Sequence, residues 1–408
     1  MHEDDGIRAI PQGRPPRPLP DDEDVVVVDT RRRAVPGGRG GPARGRSGAA
    51  GREPAPRDPH GGGGSVRNAS PRGRGPGPSR RARRARAVLL LGLVLVVAWV
   101  AFMVWVPFHA WGSVHRVDAS PTGTQPPQTK GYDYLLVGSD SRAGLTAAQK
   151  KALTTGSADG QRTDSIILVH VPSDGGKPAF ISIPRDSFVP IPGHRSNKIN
   201  AAYSMGGPKL LEETVEQATG LRLDGYVEIG FGGFAGVVDA VGGVDICVPF
   251  NMDDPHAGIN LKKGCQTLNG PNALGYVRAR YSDPRGDIGR AERQRQFLGA
   301  IMRKALTPST VLVPTRYYNF SMAAGQGLTV DQDTSLQDVV RVLQAMRAIS
   351  KGEGLSLVVP LSSVNYPTYA GSAVKWDTPR AKKLFTMLRD DVPLEAPPEG
   401  TDGKPSGG

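Results

Sequence analysis

Cysteine appears only twice in the 408 residues, and aromatic residues make up 6%. Two thiols cannot build a disulfide scaffold, and no neighbouring Cys or His pair gives them zinc-ligand spacing. Lysine is absent from the first 86 residues, where 19 Arg face 10 acids for a net +9 of the chain's +12. The rest carries only +3, so the basic character belongs to a tail. That tail is rich in Gly and Pro and nearly free of aromatics. It cannot bury enough apolar surface to offset its ordering entropy and reads as disordered. A helix-turn-helix pattern and stacking aromatics are missing too, which argues against specific nucleic-acid binding and leaves topology setting and attraction to anionic membrane lipid as the simpler reading. No Gly-X-Y period and no second long apolar run occur, which excludes a collagen and a multispan transporter.

What is present begins with residues 88–106, VLLLGLVLVVAWVAFMVWV, 19 in succession without a charge. That is the length a helix needs to cross a hydrocarbon core of about 30 Å. A cleaved signal peptide competes, but its apolar stretch would be too long, no small-residue cleavage site stands out, and a leader of this size is atypical. The expectation is an uncleaved transmembrane helix over 87–106. Trp99, Trp105 and Trp111 stand toward its far end, where indole rings favour the interface, and Pro107 marks the exit. Arg80, Arg81, Arg83, Arg84 and Arg86 abut the near end and keep residues 1–86 in the cytoplasm, sending the rest outside. Cys247 and Cys265 then lie where oxidation is expected. A disulfide between them, favoured over two free thiols, would stabilise by about 3 kcal/mol in the chain-entropy model.

Residues 107–130, with PTGTQPPQTK, read as a spacer that lifts a domain over 131–392 off the bilayer, and 393–408 as a flexible end. Within the domain, 132–138, 165–171 and 179–183 are short apolar runs suited to buried strands. Leu210, Leu211 and Val215 predict a helix between Pro208 and Gly220, and 236–248 resembles a helix turning into a strand. The longest helical pattern is 287–306, with Phe297, Leu298, Ile301, Met302 and Leu306 at core spacing. Residues 335–349 and a segment opened by Thr378 and Pro379 are two more helices. Strands mixed with helices predict a layered α/β domain.

Asp140 follows the first strand in LLVGSDSR and Asp164 precedes the second in RTDSIILVHV. Both carboxylates can therefore meet at one sheet edge, a favoured site position. Two carboxylates plus phosphate oxygens suffice for Mg²⁺, which keeps several waters. Taken alone, each Asp is equally a cap or turn former. Arg185 follows the third strand in ISIPRD. YVRARY, read as a strand, puts Arg278 and Arg280 on one face. Arg290 and Gln294, four apart, share a helix face, with Arg293 adjacent. A single Arg is most simply a surface charge or ion-pair partner. Five guanidinium groups near two Asp instead suit a diphosphate, whose oxygens accept bidentate Arg forks.

Together LLVGSDSR, RTDSIILVHV, ISIPRDSFVPIPG, KINAAYSMGG, VDAVGGVDICV, LNGPNALGYVRAR and DIGRAERQRQFL resemble the LytR-CpsA-Psr family of cell-wall ligases, over about residues 131–306. The resemblance implies an extracytoplasmic three-layer α-β-α sandwich with a mixed sheet. It implies Mg²⁺ as cofactor and transfer of a glycopolymer from a polyprenyl diphosphate lipid onto peptidoglycan. By motif, Asp140 and Asp164 match the metal and catalytic carboxylates, and Arg185 is assigned both catalysis and phosphate binding. Arg162, Arg278, Arg280, Arg290 and Gln294 match the remaining phosphate ligands, and Lys198, Asp186 and Arg293 match more weakly. The insertion-like TAAQKKALTTGSADG reads as a mobile flap, and 307–392 as the end of the same domain. Apolar residues from Tyr226 to Val248 suit a lipid channel or ordinary core equally. Competing functions are a hydrolase that cleaves the diphosphate with water and, less favoured, a membrane-tethered transcriptional regulator.

Overall fold

The computed structural model describes residues 80–142, 145–155, 163–279 and 286–406. Residues 1–79, and with them nearly all of the tail read as disordered, lie outside the described part. Helix α1 (Arg80–Trp111) holds the apolar run, and Val88, Leu89, Leu91, Leu95 and Val97 on it have no protein cover. By length and composition it is the single described helix able to cross a membrane. It continues past Pro107 to Trp111, beyond the exit expected from sequence.

The chain then gives β1 (His115–Val117), β2 (Tyr132–Ser139), β3 (Thr163–Val171) and β4 (Ala179–Ile183). Next come α2 (Ile199–Thr219), β5 (Gly225–Ile229), α3 (Phe231–Ala240), α4 (Gly270–Arg278) and α5 (Gly286–Ala305). The C-terminal third supplies α6 (Pro314–Gly327), β6 (Leu328–Asp331), α7 (Leu336–Ser350), β7 (Leu355–Val358) and α8 (Thr378–Arg389). These seven strands make one mixed sheet in the order β1-β6-β5-β2-β3-β4-β7. Strand alternation sorts the side chains. Leu135, Val137, Ile166, Leu168, Ile181 and Ile183 face Leu211 and Val215 of α2 and Leu384, Phe385 and Leu388 of α8. Tyr134, Val169 and Phe180 face Val342 and Ala345 of α7. Helices on both faces of one sheet make the expected three-layer α-β-α sandwich.

Capping chemistry sets several boundaries. Gly220 closes α2 at φ 71°, a left-handed position that costs glycine nothing. Ser335 and Asp338 form a capping box on α7. Val238 and Val244 pack with Ala273 and Phe297 in a second core beside the sheet, and Tyr226 belongs to the first, so much of the apolar stretch from Tyr226 to Val248 serves as core. Cys247 and Cys265 are register partners in a two-stranded ribbon of Val244–Val248 and Gly264–Leu268, and the structure joins them as a disulfide.

Three expectations change at the borders. The presumed spacer is partly sheet, because β1 pairs parallel with β6 and Ala119 N donates to Asp331 Oδ1 at 2.7 Å. The presumed loose end is anchored as far as Ser406. Leu394 is buried, Val358 N donates to Thr401 O at 2.8 Å, and Ser406 N donates to Leu361 O at 2.8 Å, covering an edge that would otherwise stay open. Gly/Pro composition hides such single anchors. The insertion-like flap is docked through residue 155: Thr146 caps a short helix, Ala147–Ala152, and Leu153 is buried against Phe231 and Leu274.

One buried acid in α2 carries a pH signature. Glu212 is 4% exposed, and burial foremost, then Glu216 and Asp331, push its pKa up to about 9. The folded value exceeds the unfolded one, so this group's contribution is intact below about pH 4.5 and is lost as pH rises toward 9. Glu212→Gln is expected to abolish that loss. Calorimetric unfolding at pH 5 and pH 9 should show the wild type losing up to a few kcal/mol more than the variant across the interval. Equal pH slopes for both proteins would contradict it.

Candidate functional site

The sandwich brings four chain segments to one edge of the sheet. β2 and β4 end there, β3 begins there, and β5, parallel to β2, ends there as well. Asp140 follows directly on β2. Asp164 falls at a register shift, where Gly138 pairs with Ser165 but Ser139 pairs with Thr163. It is thus the extra residue of a bulge, a device that re-aims a side chain. Arg185 sits in the turn after β4, and its Nη1 meets Asp164 Oδ1 at 2.6 Å. The same guanidinium reaches Asp186 Oδ2 at 3.4 Å, and Lys198 Nζ meets Asp186 Oδ1 at 3.0 Å. Asn200 N and Ile199 N, opening α2, donate to Arg185 O and Ser187 O and hold that turn in place.

Arg278 enters from the other side, as the last residue of α4. Expecting a strand here was wrong. Asn269 caps the segment by accepting from Asn272 N at 3.1 Å, Pro271 suits a first turn, and Ala273, Leu274, Tyr276 and Val277 are buried at helical spacing. The guanidinium lies over Phe231 at 4.5 Å and donates to Leu153 O at 3.3 Å. Burial pushes the Arg278 pKa down. Asp164 opposes that, Arg142 reinforces it, and Asp140 and Asp254 oppose it. Asp140, Asp164, Arg142, Arg185 and Arg278 therefore share one electrostatic site.

Arg293 and Gln294 also bond the backbone, a role the sequence did not suggest. Arg293 is 2% exposed; its Nε donates to Tyr276 O at 3.1 Å and its Nη2 to Ala279 O. Gln294 Nε2 donates to Val277 O at 3.4 Å. Both satisfy carbonyls at the C-terminal end of α4, and so hold Arg278 from behind. Arg290 is half-buried on α5, one turn before Gln294. Arg162 and Arg280 lie outside the described residues.

Sequence reasoning missed Arg142, Asp254 and Glu228. Arg142 was within reach, being the Arg of the GSDSR string. Glu228 gave no local signal: it is buried in β5, where Ser139, Tyr203 and Tyr226 all donate hydroxyls to its carboxylate. Ser139 Oγ in turn accepts from Ser141 N at 3.3 Å, so this network fixes the turn that carries Asp140.

A model of the LytR_cpsA_psr family matches residues 113–386. The chain belongs to that family. It is 42% identical over 304 residues to a protein of Corynebacterium glutamicum named probable cell wall biosynthesis protein LcpB, covering 74% of this chain and 70% of that one. It is 41% identical over 158 residues to TagV of Bacillus subtilis, named a polyisoprenyl-teichoic acid–peptidoglycan teichoic acid transferase, covering 37% of this chain and 40% of the relative. The crystal structure of B. subtilis TagV superposes with a TM-score of 0.50 at 27% identity, covering 66% of this chain and all of that one.

Proposed function

We propose that this chain is a membrane-anchored transferase that moves a glycopolymer from a polyprenyl diphosphate carrier onto peptidoglycan on the outer side of the membrane. The observation that carries the reading is the interleaving of two carboxylates with guanidinium groups at one sheet edge, where Arg185 bonds Asp164 and Arg278 feels both acids. Family membership and the relatives' names support the same chemistry. Arg80 to Arg86 support a cytoplasmic N-terminus by the positive-inside tendency, and the Cys247–Cys265 pair suits an oxidising exterior.

No group of three or more His, Cys, Asp or Glu able to hold a metal occurs among the described residues. The donor set of Asp140 and Asp164 suits an ion that takes one or two carboxylates and completes its shell with water and phosphate oxygens, as Mg²⁺ does. Mg²⁺ held there would neutralise charge on the diphosphate. Arg185 and Arg278 hold its oxygens and orient the sugar-side phosphorus. A peptidoglycan hydroxyl attacks that phosphorus; polyprenyl monophosphate departs, a phosphodiester remains, and the hydroxyl proton passes to a carboxylate of the pair. A cleft of about 400 Å³ between β3, β4, α5 and α7 offers Ile167, Phe180, Leu298, Met302 and Met346 to an apolar chain, with Glu292, Arg295 and Arg303 also in its lining.

Arg278→Lys tests the role of the fork. It keeps the charge but loses planar bidentate geometry, so donor affinity and transfer should both fall, by roughly ten-fold or more. Transfer at the wild-type rate would make Arg278 a bystander. Topology is tested on wall-stripped intact cells, where added protease should remove residues 107–408 and spare the tail. In the same material, peptide mapping without reductant should find Cys247 joined to Cys265, and two alkylated thiols would remove the bridge from the account.

A further inference from the structure

Pro107 has no N–H, so the carbonyl of Met103 in α1 loses its helical partner. In hydrocarbon an unpaired carbonyl costs several kcal/mol. The structure supplies a donor from elsewhere in the chain: Tyr317 Oη of α6 bonds Met103 O at 3.1 Å. The contact continues along both helices. Phe102 meets Tyr317 ring to ring at 6.3 Å, Trp105 stacks on Tyr318 at 6.4 Å, and a Cβ at Gly325 would collide with Ala110 O. Residue 317 is thus level with 102 and 103, and 325 with 110, so α6 lies alongside α1 and runs in the same direction.

This register sets a depth. Continued back along α6, it places Val313 level with about residue 98, which at 1.5 Å per residue is roughly 12 Å inside the end of the apolar run at Val106. Interfacial elements bury about 5–10 Å into the headgroup and acyl boundary. In this segment Leu306, Leu312 and Val313 are apolar and 46%, 61% and 39% exposed, and Ser309 and Thr315 are exposed beside them. Arg316 is exposed one turn further up, with a stem long enough to lift its charge to the lipid phosphates.

Resting on the reading that α1 spans the bilayer, we infer that residues 306–318 dip into the outer leaflet beside it and form a second membrane contact. The partner is the lipid surface itself. The same helix reaches the chemistry: α6 meets α3 where Gly233 and Gly327 leave no room for a Cβ, and Phe231 of α3 lies under Arg278. Seating α6 in the leaflet therefore sets the height of the site above the bilayer, where a carrier's diphosphate emerges.

The full chain is reconstituted in phosphatidylcholine–phosphatidylglycerol vesicles with an environment-sensitive dye at Leu312→Cys, Leu95→Cys or Tyr369→Cys, the last an exposed position remote from α1. Lipids carrying nitroxide high on the acyl chain should quench Leu312→Cys by about half or more, and leave Tyr369→Cys unchanged. Quenching of Leu95→Cys by deep nitroxides reports the span separately. Leu95 quenched with Leu312 bright and wet would overturn the dip and spare the anchor. Leu312 shielded from water yet unquenched would assign the face to a second copy and also overturn it. Neither position quenched would sink the spanning reading as well.

Discussion

Asp164→Ala is expected to lower glycopolymer transfer by roughly 10²- to 10³-fold, the scale of removing one preorganised electrostatic group from a transition state. The protein should fold normally. Asp164 sits at a bulge, is part-exposed, and its bond to Arg185 is the kind of accessible ion pair that contributes about 0–1 kcal/mol. Donor affinity should survive in part, because Arg185 and Arg278 remain to attract the diphosphate. Residual transfer should no longer respond to Mg²⁺, which separates a metal carboxylate from a mere partner of Arg185. Wild-type transfer with wild-type Mg²⁺ dependence would return Asp164 to the role of a turn former.

Arg293→Met should have the largest effect on stability, about 3–5 kcal/mol by denaturant unfolding, because it strands carbonyls of Tyr276 and Ala279 in a buried position. Met keeps the apolar bulk, so the loss reports the polar bonds and not a cavity. Arg293→Lys, with a single ammonium in place of the fork, should recover only part. Both variants should also weaken donor binding, through a loosened Arg278. An unfolding midpoint unchanged in Arg293→Met would show that the end of α4 holds itself.

These two residues show what sequence could and could not reveal. The strands through Tyr134, Leu168 and Ile181 were legible because they are unbroken apolar runs, and α7 because Ser335 and Asp338 write a capping box. Asp140, Asp164 and Arg185 were legible as strand-end polar residues in recognisable strings. The role of Arg293 was not, since an Arg in RQRQ looks alike whether it faces phosphate or backbone carbonyls. The helix of Gly270–Arg278 was misread by weighing the alternation of YVRARY over the Asn269 cap and Pro271 just before it. Leu394 and Thr401 were lost in a Gly/Pro-rich end whose anchoring depends on partners far along the chain. Glu228 needed three hydroxyls from three elements, which no local pattern encodes.

The central claim is transfer at the diphosphate, and product accounting tests it most directly. The full chain, in vesicles with Mg²⁺, is given a polyprenyl diphosphate-linked glycan labelled in both lipid and sugar, together with peptidoglycan. The account predicts polyprenyl monophosphate released in equal amount to sugar joined to peptidoglycan through a phosphodiester, with no free sugar phosphate. Release of polyprenyl monophosphate matched by free sugar phosphate, with none joined to peptidoglycan, would contradict it and make the enzyme a hydrolase.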